Sequence, residues 1–184
     1  IVGGGIANTF LEAAGYNMGS SLVEKDLIPE AGRLIEMAKE RNVMLPLPSD
    51  VVVAPSFERA SEAVTKKVSE LSAEDCAFDI GEETVKEYAK LLADARTIVW
   101  NGPVGAFETV PFDKGSRALA DILADSDAYT LVCGGDTVAA VESFGVASRM
   151  GYLSTGGGAF LEVLEGKTLP AVAALADAAS KKKI

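Results

Sequence analysis

Short apolar runs rich in β-branched residues alternate along the chain with longer stretches whose apolar positions recur every three to four residues. That alternation predicts an α/β fold: a doubly wound, mostly parallel sheet with helices on both faces, a three-layer α/β/α arrangement of Rossmann-like type. Ile1-Val2 reads as the end of a first strand and residues 6–14 as a helix stopped by Gly15. Residues 25–41 form a second helical pattern, with Leu27, Ala31, Leu34, Ile35 and Ala38 on one face. Residues 43–47 and 51–54 are strand-like, with Pro46 and Pro48 marking an edge or bend between them. The stretch 56–76 follows neither period. A helix over 82–93, capped from Asp79-Ile80-Gly81, precedes a strand over 97–100, and a helix over 112–124 precedes a strand over 129–133. Helices over 137–144, 158–165 and 170–179 complete the chain. No repeat, linker or low-complexity segment interrupts the pattern, so residues 1–184 read as one domain.

Length and composition fit that expectation. A chain of 184 residues buries roughly two thirds or more of the surface its unfolded form exposes, enough for one core. No apolar run approaches the ~20 residues of a membrane span. The net charge of −10 argues against nucleic acid or an anionic membrane as partner, since both are held by basic clusters. The one basic run, Lys181 to Lys183, ends a helical pattern and complements its dipole. Cys76 and Cys133 show no C-x-x-C spacing and read as free thiols, which matches a reducing cytoplasm. The opening Ile1-Val2-Gly3-Gly4 matches the start of mature chymotrypsin-like proteases, but the chain has no histidine and therefore no Ser-His-Asp triad. With no initiator Met and no leader pattern, it reads as a fragment or a processed chain.

Glycine-rich turns carry the candidate chemistry. Gly3 to Gly5, Asn101-Gly102-Pro103 with Gly105, Gly134-Gly135-Asp136, and Ser154 to Gly158 all lead toward helices. In an open parallel sheet the turns after the strands share the carboxyl edge, where ligands bind. Backbone N–H groups at helix starts hold phosphate there, which suits a domain too acidic to attract anions at long range. Neither nucleotide fingerprint is present: Asn8 stands where the dinucleotide pattern needs glycine, and no G-x-x-x-x-G-K-S/T occurs. Glu24, although placed like a ribose-binding acid, therefore carries no Rossmann argument. Asp136, after two glycines and before Thr137, reads either as a helix N-cap or as an anchor for Mg²⁺ beside a phosphate.

Several strings resemble the phosphoglycerate kinase family in order and spacing. They include Ile1 to Phe10, Ser21-Leu22-Val23-Glu24, Leu47 to Val51, Asp79-Ile80-Gly81 and Trp100 to Glu108. Gly134 to Thr137, Ser154 to Glu162, Leu164 to Lys167 and Leu169-Pro170 continue the likeness over essentially the whole chain, with a bacterial flavour. The resemblance implies the nucleotide-binding, C-terminal domain of that kinase, N-terminally truncated, with ADP or ATP as substrate and Mg²⁺ as cofactor. Gly3, Gly4 and Gly5 would wall the adenine slot opposite Pro103, Val104 and Gly105, and Glu108 would bind the ribose hydroxyls. Asn101, Gly134, Gly135 and Thr137 would lie along the phosphates, and Asp136 would hold the metal. Gly156, Gly157 and Gly158 would offer N–H groups to the phosphoryl group in flight.

The reaction so implied joins 1,3-bisphosphoglycerate and ADP to 3-phosphoglycerate and ATP in a cytoplasmic, monomeric glycolytic enzyme. Its acceptor is a carboxylate ionised near neutral pH, so the lack of histidine is no obstacle. Two parts of the family pattern are missing: the basic substrate domain expected before Ile1, and a Gly-Gly-Ala-Lys segment whose lysine reaches the phosphates. The isolated chain is therefore expected to be inactive, and the sheet beside Ile1-Val2 to show a gap or a covered edge. Cys133 replaces a glycine of many relatives, and Tyr152 stands near where others place a histidine. A non-catalytic nucleotide or phosphosugar sensor is the alternative functional class, and a purely structural use of the glycines is a third.

Overall fold

The computed structural model describes residues 1–181, so Lys182 and Lys183 of the basic run lie outside the described residues. Two three-stranded sheets organise the chain. The second contains β4 (Thr97–Asn101), β5 (Tyr129–Cys133) and β6 (Tyr152–Ser154), parallel and in that order. This is the Rossmann-like half that the alternation of strands and helices predicts. Its middle strand, β5, carries the apolar Leu131-Val132-Cys133 run, with Val132 fully buried.

The first sheet is antiparallel: its middle strand is the one expected over 51–54, but its two partners do not follow from the pattern. β1 (Asp50–Ala54) lies between β2 (Val64–Lys67) and β3 (Cys76–Ile80), with a register shift between Val52 and Val53. β2 sits in the stretch left unassigned, because Val64-Thr65-Lys66-Lys67 is a mostly exposed edge strand with no apolar face to announce it. Residues 43–47, strand-like by composition, form no strand. Val43 and Met44 are exposed there, and two prolines withhold ladder donors.

Helix α1 (Gly4–Ala13) packs Leu11 against Met18, Val51 and Val53 of the antiparallel half, and α2 (Ile28–Glu40) lies beside α1. The parallel half is filled by Ile98, Trp100 and Val132 against Leu123 of α4 (Lys114–Ala124) and Val141 of α5 (Gly135–Ser143). Ile80, Tyr88 of α3 (Glu82–Leu92), Val104 and Leu119 form a third cluster that joins the two halves. Removing one such buried leucine costs about 2 to 5 kcal/mol. α6 (Gly157–Leu164) and α7 (Pro170–Lys181) are mostly exposed.

Ile1 and Val2 belong to no strand, because two residues without a hydrogen-bonded neighbour cannot form a ladder. A cavity of about 380 Å³ separates them from β4, whose outer edge pairs with no strand among the described residues. The Tyr88 hydroxyl ties this end down, donating to the Val2 carbonyl at 2.9 Å.

The cap expected from Asp79-Ile80-Gly81 is built differently. Gly81 is the N-cap residue of α3 but has no side chain to cap with. Asp50 on β1 does so from a distance, accepting from the Thr84 N–H at 2.8 Å and the Glu83 N–H at 3.2 Å. Asp79 serves a different helix: its carboxylate accepts from the Gly115 N–H in the first turn of α4 at 2.7 Å.

Candidate functional site

Three of the glycine turns leave the carboxyl ends of β4, β5 and β6, which are neighbours in one parallel sheet. The turn at Gly156 to Gly158 follows β6, a strand of only three residues that the pattern misses. At the same edge the turn at Gly3 to Gly5 meets the loop after β4, where the Gly4 N–H donates to the Val104 carbonyl at 3.1 Å. Both glycines are needed for this approach. A Cβ on Gly3 would lie 2.6 Å from the Val104 Cβ, and Gly4 has φ +58 with the Pro103 carbonyl close by.

The result is a slot of about 310 Å³. Gly4 and Gly5 line one wall, Pro103, Val104 and Gly105 another, and Ala77, Phe78 and Asp79 of β3 the floor. It is mainly apolar, as a site for a flat heterocycle requires. The loop that forms its second wall is anchored at four points. The Trp100 indole N–H donates to the Gly102 carbonyl at 2.8 Å, and the Gly102 N–H to the Thr137 hydroxyl at 2.8 Å. The Val104 N–H donates to the Ser116 hydroxyl at 3.0 Å, and the Ala106 N–H to the Phe78 carbonyl at 2.9 Å.

The polar end lies where β4, β5 and β6 finish. Gly134 has φ +94, which only glycine adopts without strain, and its N–H donates to the Ser154 carbonyl at 2.8 Å. Gly157 is buried so tightly that a Cβ would lie 2.8 Å from the Gly134 Cα and 3.4 Å from the Asn101 amide nitrogen. Asn101, Gly134, Thr137 and Gly157 are thus one cluster. Gly135 and Asp136 open α5, and Gly156 and Gly158 flank the start of α6, all four exposed. The first N–H groups of both helices have no partner within the helix, and both dipoles turn their positive ends toward this edge.

The site residues expected from sequence fall into two groups. Gly4, Gly5, Pro103, Val104 and Gly105 share the slot, while Asn101, Gly134, Thr137 and Gly157 share the polar cluster. Gly3 backs Val104 of the slot wall and faces the cavity beside β4. Glu108 is exposed, farther along the same loop and outside the slot lining. Asp79 and Phe78 have no site role in the sequence reading yet form the floor, because the antiparallel sheet that brings them there leaves no periodic signal.

The family model described as Phosphoglycerate kinase matches residues 1–167. The chain belongs to the phosphoglycerate kinase family. It is 56% identical over 179 residues to the phosphoglycerate kinase of Desulfovibrio desulfuricans, covering 97% of the chain and 46% of that relative. Identity to the Nitratidesulfovibrio vulgaris phosphoglycerate kinase is 55% over 181 residues, covering 98% of the chain and 46% of the relative. Among solved structures, phosphoglycerate kinase from Coxiella burnetii superposes with a TM-score of 0.89 at 51% identity, over 93% of the chain and 44% of its own length. The Pyrococcus horikoshii enzyme gives a TM-score of 0.79 at 30% identity, over 94% and 44% respectively. The chain thus spans under half the length of the phosphoglycerate kinases it matches.

Among the described residues no three acidic or cysteine side chains gather into a metal-binding group. Asp136 stands alone, exposed in the first turn of α5. One protein carboxylate beside a phosphate cradle suits Mg²⁺, which keeps several waters and completes its shell with substrate phosphates. Cys133 is buried, which pushes its thiol above the usual range, and Cys76 is raised for the same reason. No helix among the described residues is long and apolar enough to cross a membrane.

Proposed function

We propose that the chain holds Mg-ADP or Mg-ATP and supplies the nucleotide half of a phosphoryl transfer between 1,3-bisphosphoglycerate and ADP. The observation that carries this reading is the junction of an apolar slot with three glycine turns at the carboxyl edge of one parallel sheet. Adenine lies between Gly4-Gly5 and Pro103 to Gly105, over Phe78, with Gly3 holding Val104 in place. Glu108 reaches back to the ribose hydroxyls from the same loop. Asn101, Gly134, Gly135 and Thr137 follow the phosphates, and Asp136 holds the Mg²⁺ that neutralises charge on them. Gly156 and Gly158 present N–H groups at the start of α6 to the transferring phosphoryl group, while Gly157 provides the close packing that brings them there.

No proton need be removed from the acceptor. The 3-phosphoglycerate carboxylate is ionised near pH 7, so the site works by placement and by charge neutralisation. The sugar acid is held by a domain outside this chain, and residues 1–184 act as the nucleotide domain of a cytoplasmic enzyme whose thiols remain reduced. Isothermal calorimetry tests the reading. ADP is expected to bind at least tenfold more tightly with Mg²⁺ than with EDTA, and adenosine to compete for the same site. Equal affinity with and without Mg²⁺, or no competition by adenosine, would overturn it.

A further inference from the structure

Two buried aspartates bridge a strand of the antiparallel sheet to the start of a helix. Asp50 joins β1 to α3, accepting from the Thr84 and Glu83 N–H groups and from the Thr84 hydroxyl at 2.6 Å. Asp79 joins β3 to α4, one oxygen accepting from the Ile80 N–H at 2.9 Å and the other from the Gly115 N–H at 2.7 Å. Both are almost wholly shielded from solvent. A site loop crosses Asp79 at Gly105, whereas the glycine packed on the Asp50 carboxylate is Gly81, the N-cap of α3.

That loop leaves β4, lines the slot with Pro103 to Ala106 and returns to α4. It passes Asp79 at Gly105, where any Cβ would overlap the carboxylate and lie 2.5 Å from the Phe112 carbonyl. A Cβ on Gly115 would overlap the same carboxylate and lie 2.6 Å from the Ile80 Cγ1. Asp79 itself lines the slot, beside Phe78, whose carbonyl holds the loop through the Ala106 N–H. Phe78 and Phe112 stack below the crossing with ring centroids 4.7 Å apart. One carboxylate therefore touches the floor of the slot, the wall and the helix on which the wall is hung.

We propose that Asp79 is a positioning residue for the nucleotide site: its ionised carboxylate, bridging β3 to the first turn of α4, seats the 102–113 loop that walls the slot. This inference rests on the nucleotide reading given above. As a carboxylate, Asp79 accepts both N–H groups. Once protonated, one of the two oxygens becomes a hydroxyl, a weaker acceptor for its N–H group, and the seat loosens. Burial holds its pKa up at about 7, with the Asp113 carboxylate adding to the rise, while the Gly115 and Ile80 N–H groups and the Lys114 ammonium oppose it. Asp113 is itself paired with Arg117 at 3.4 Å, and the loop from Gly102 to Ala106 and the slot-lining residues of α1 bring no charged group.

The bridge therefore changes state within the physiological range, and two consequences have opposite signs. Because its folded pKa lies above the ordinary carboxylate value, Asp79 favours the fold most below about pH 4, and that contribution is lost as pH rises through about 7. Nucleotide affinity moves the other way, rising as the carboxylate ionises.

The test measures Mg-ADP affinity between pH 6 and 8 in the full-length protein, its Asp79→Asn variant and its Asp50→Asn variant. Titration of the nucleotide itself is common to all three. Expected, beyond that shared slope, is about a tenfold further gain in affinity with pH for the wild type and for Asp50→Asn, against weak binding and no further gain for Asp79→Asn. An Asp79→Asn profile that keeps the wild-type slope and affinity overturns the proposal. If folded wild type binds no Mg-ADP at any pH, the nucleotide reading itself fails and this inference falls with it. Should Asp79→Asn not fold, carbonyl NMR of the wild type decides instead. A carboxyl titrating near pH 7 whose pKa drops when Mg-ADP is added supports the positioning role, and one that ignores the nucleotide contradicts it.

Discussion

The two ends of the candidate site are built on different principles. The slot is made of contacts so close that Gly3 and Gly105 have no room for a methyl group, and it is braced by both sheets. The polar end displays Gly135, Asp136, Gly156 and Gly158 to solvent at two helix starts, where a Cβ on Gly135 or Gly158 would meet nothing within 4 Å. The slot can select its ligand by shape, and the polar end by charge and backbone dipoles. Fold and function are therefore coupled tightly at the slot and loosely at the polar end. A substitution in the slot should damage stability and binding together, whereas one at the exposed polar positions should change binding alone.

The largest expected effect concerns the whole site. On its own the chain should make no ATP from 1,3-bisphosphoglycerate and ADP above background, because placing two reactants together is worth about 7 to 11 kcal/mol of barrier. A coupled assay checks this, and turnover approaching that of an intact enzyme would break the division of labour assumed here. Next comes Gly105→Ala, whose added methyl group meets the Phe112 carbonyl and the Asp79 carboxylate. Overpacking of this kind costs about 1 to 3 kcal/mol, so the melting temperature should fall and adenosine binding with it. Asp136→Ala should cost Mg-ADP binding about 1.5 to 3 kcal/mol through loss of a charge-assisted contact, with the melting temperature unchanged. Smallest is Gly135→Ala, which adds a methyl group into open space at a helix start. It should shift stability by less than about 0.5 kcal/mol in thermal denaturation, and a drop as large as that of Gly105→Ala would erase the contrast between the two ends.

The same contrast governs what was legible in the sequence. The parallel half announces itself: β5 carries an apolar run that a central parallel strand requires, and the expected strand over 129–133 coincides with it. The glycine turns of the polar end are equally readable, since Gly134 and its neighbours stand between a strand and a helix start. In the antiparallel half β1 is legible in the apolar run over 51–54, whereas β2 is polar and exposed, and β3 pairs with β1 across residues that no local period links. Asp79 suffered most from this. Its helix partner, Gly115, lies 36 residues away, so local reading assigned the Asp79-Ile80-Gly81 turn to the following helix instead. Gly3 serves the slot from behind, backing Val104 while its other side faces the cavity beside β4, a close approach that no local period shows.

If one site joins a shape-selective slot to a charge-selective, metal-dependent end, a pair of calorimetric titrations separates the two. Adenosine and Mg-ADP are titrated into the wild type and into Asp136→Ala. Adenosine affinity is expected to be the same in both proteins, while Mg-ADP affinity falls about 10- to 150-fold in the variant, the equivalent of about 1.5 to 3 kcal/mol. Equal Mg-ADP affinity in the two proteins, or an equal loss for adenosine and Mg-ADP, would contradict it.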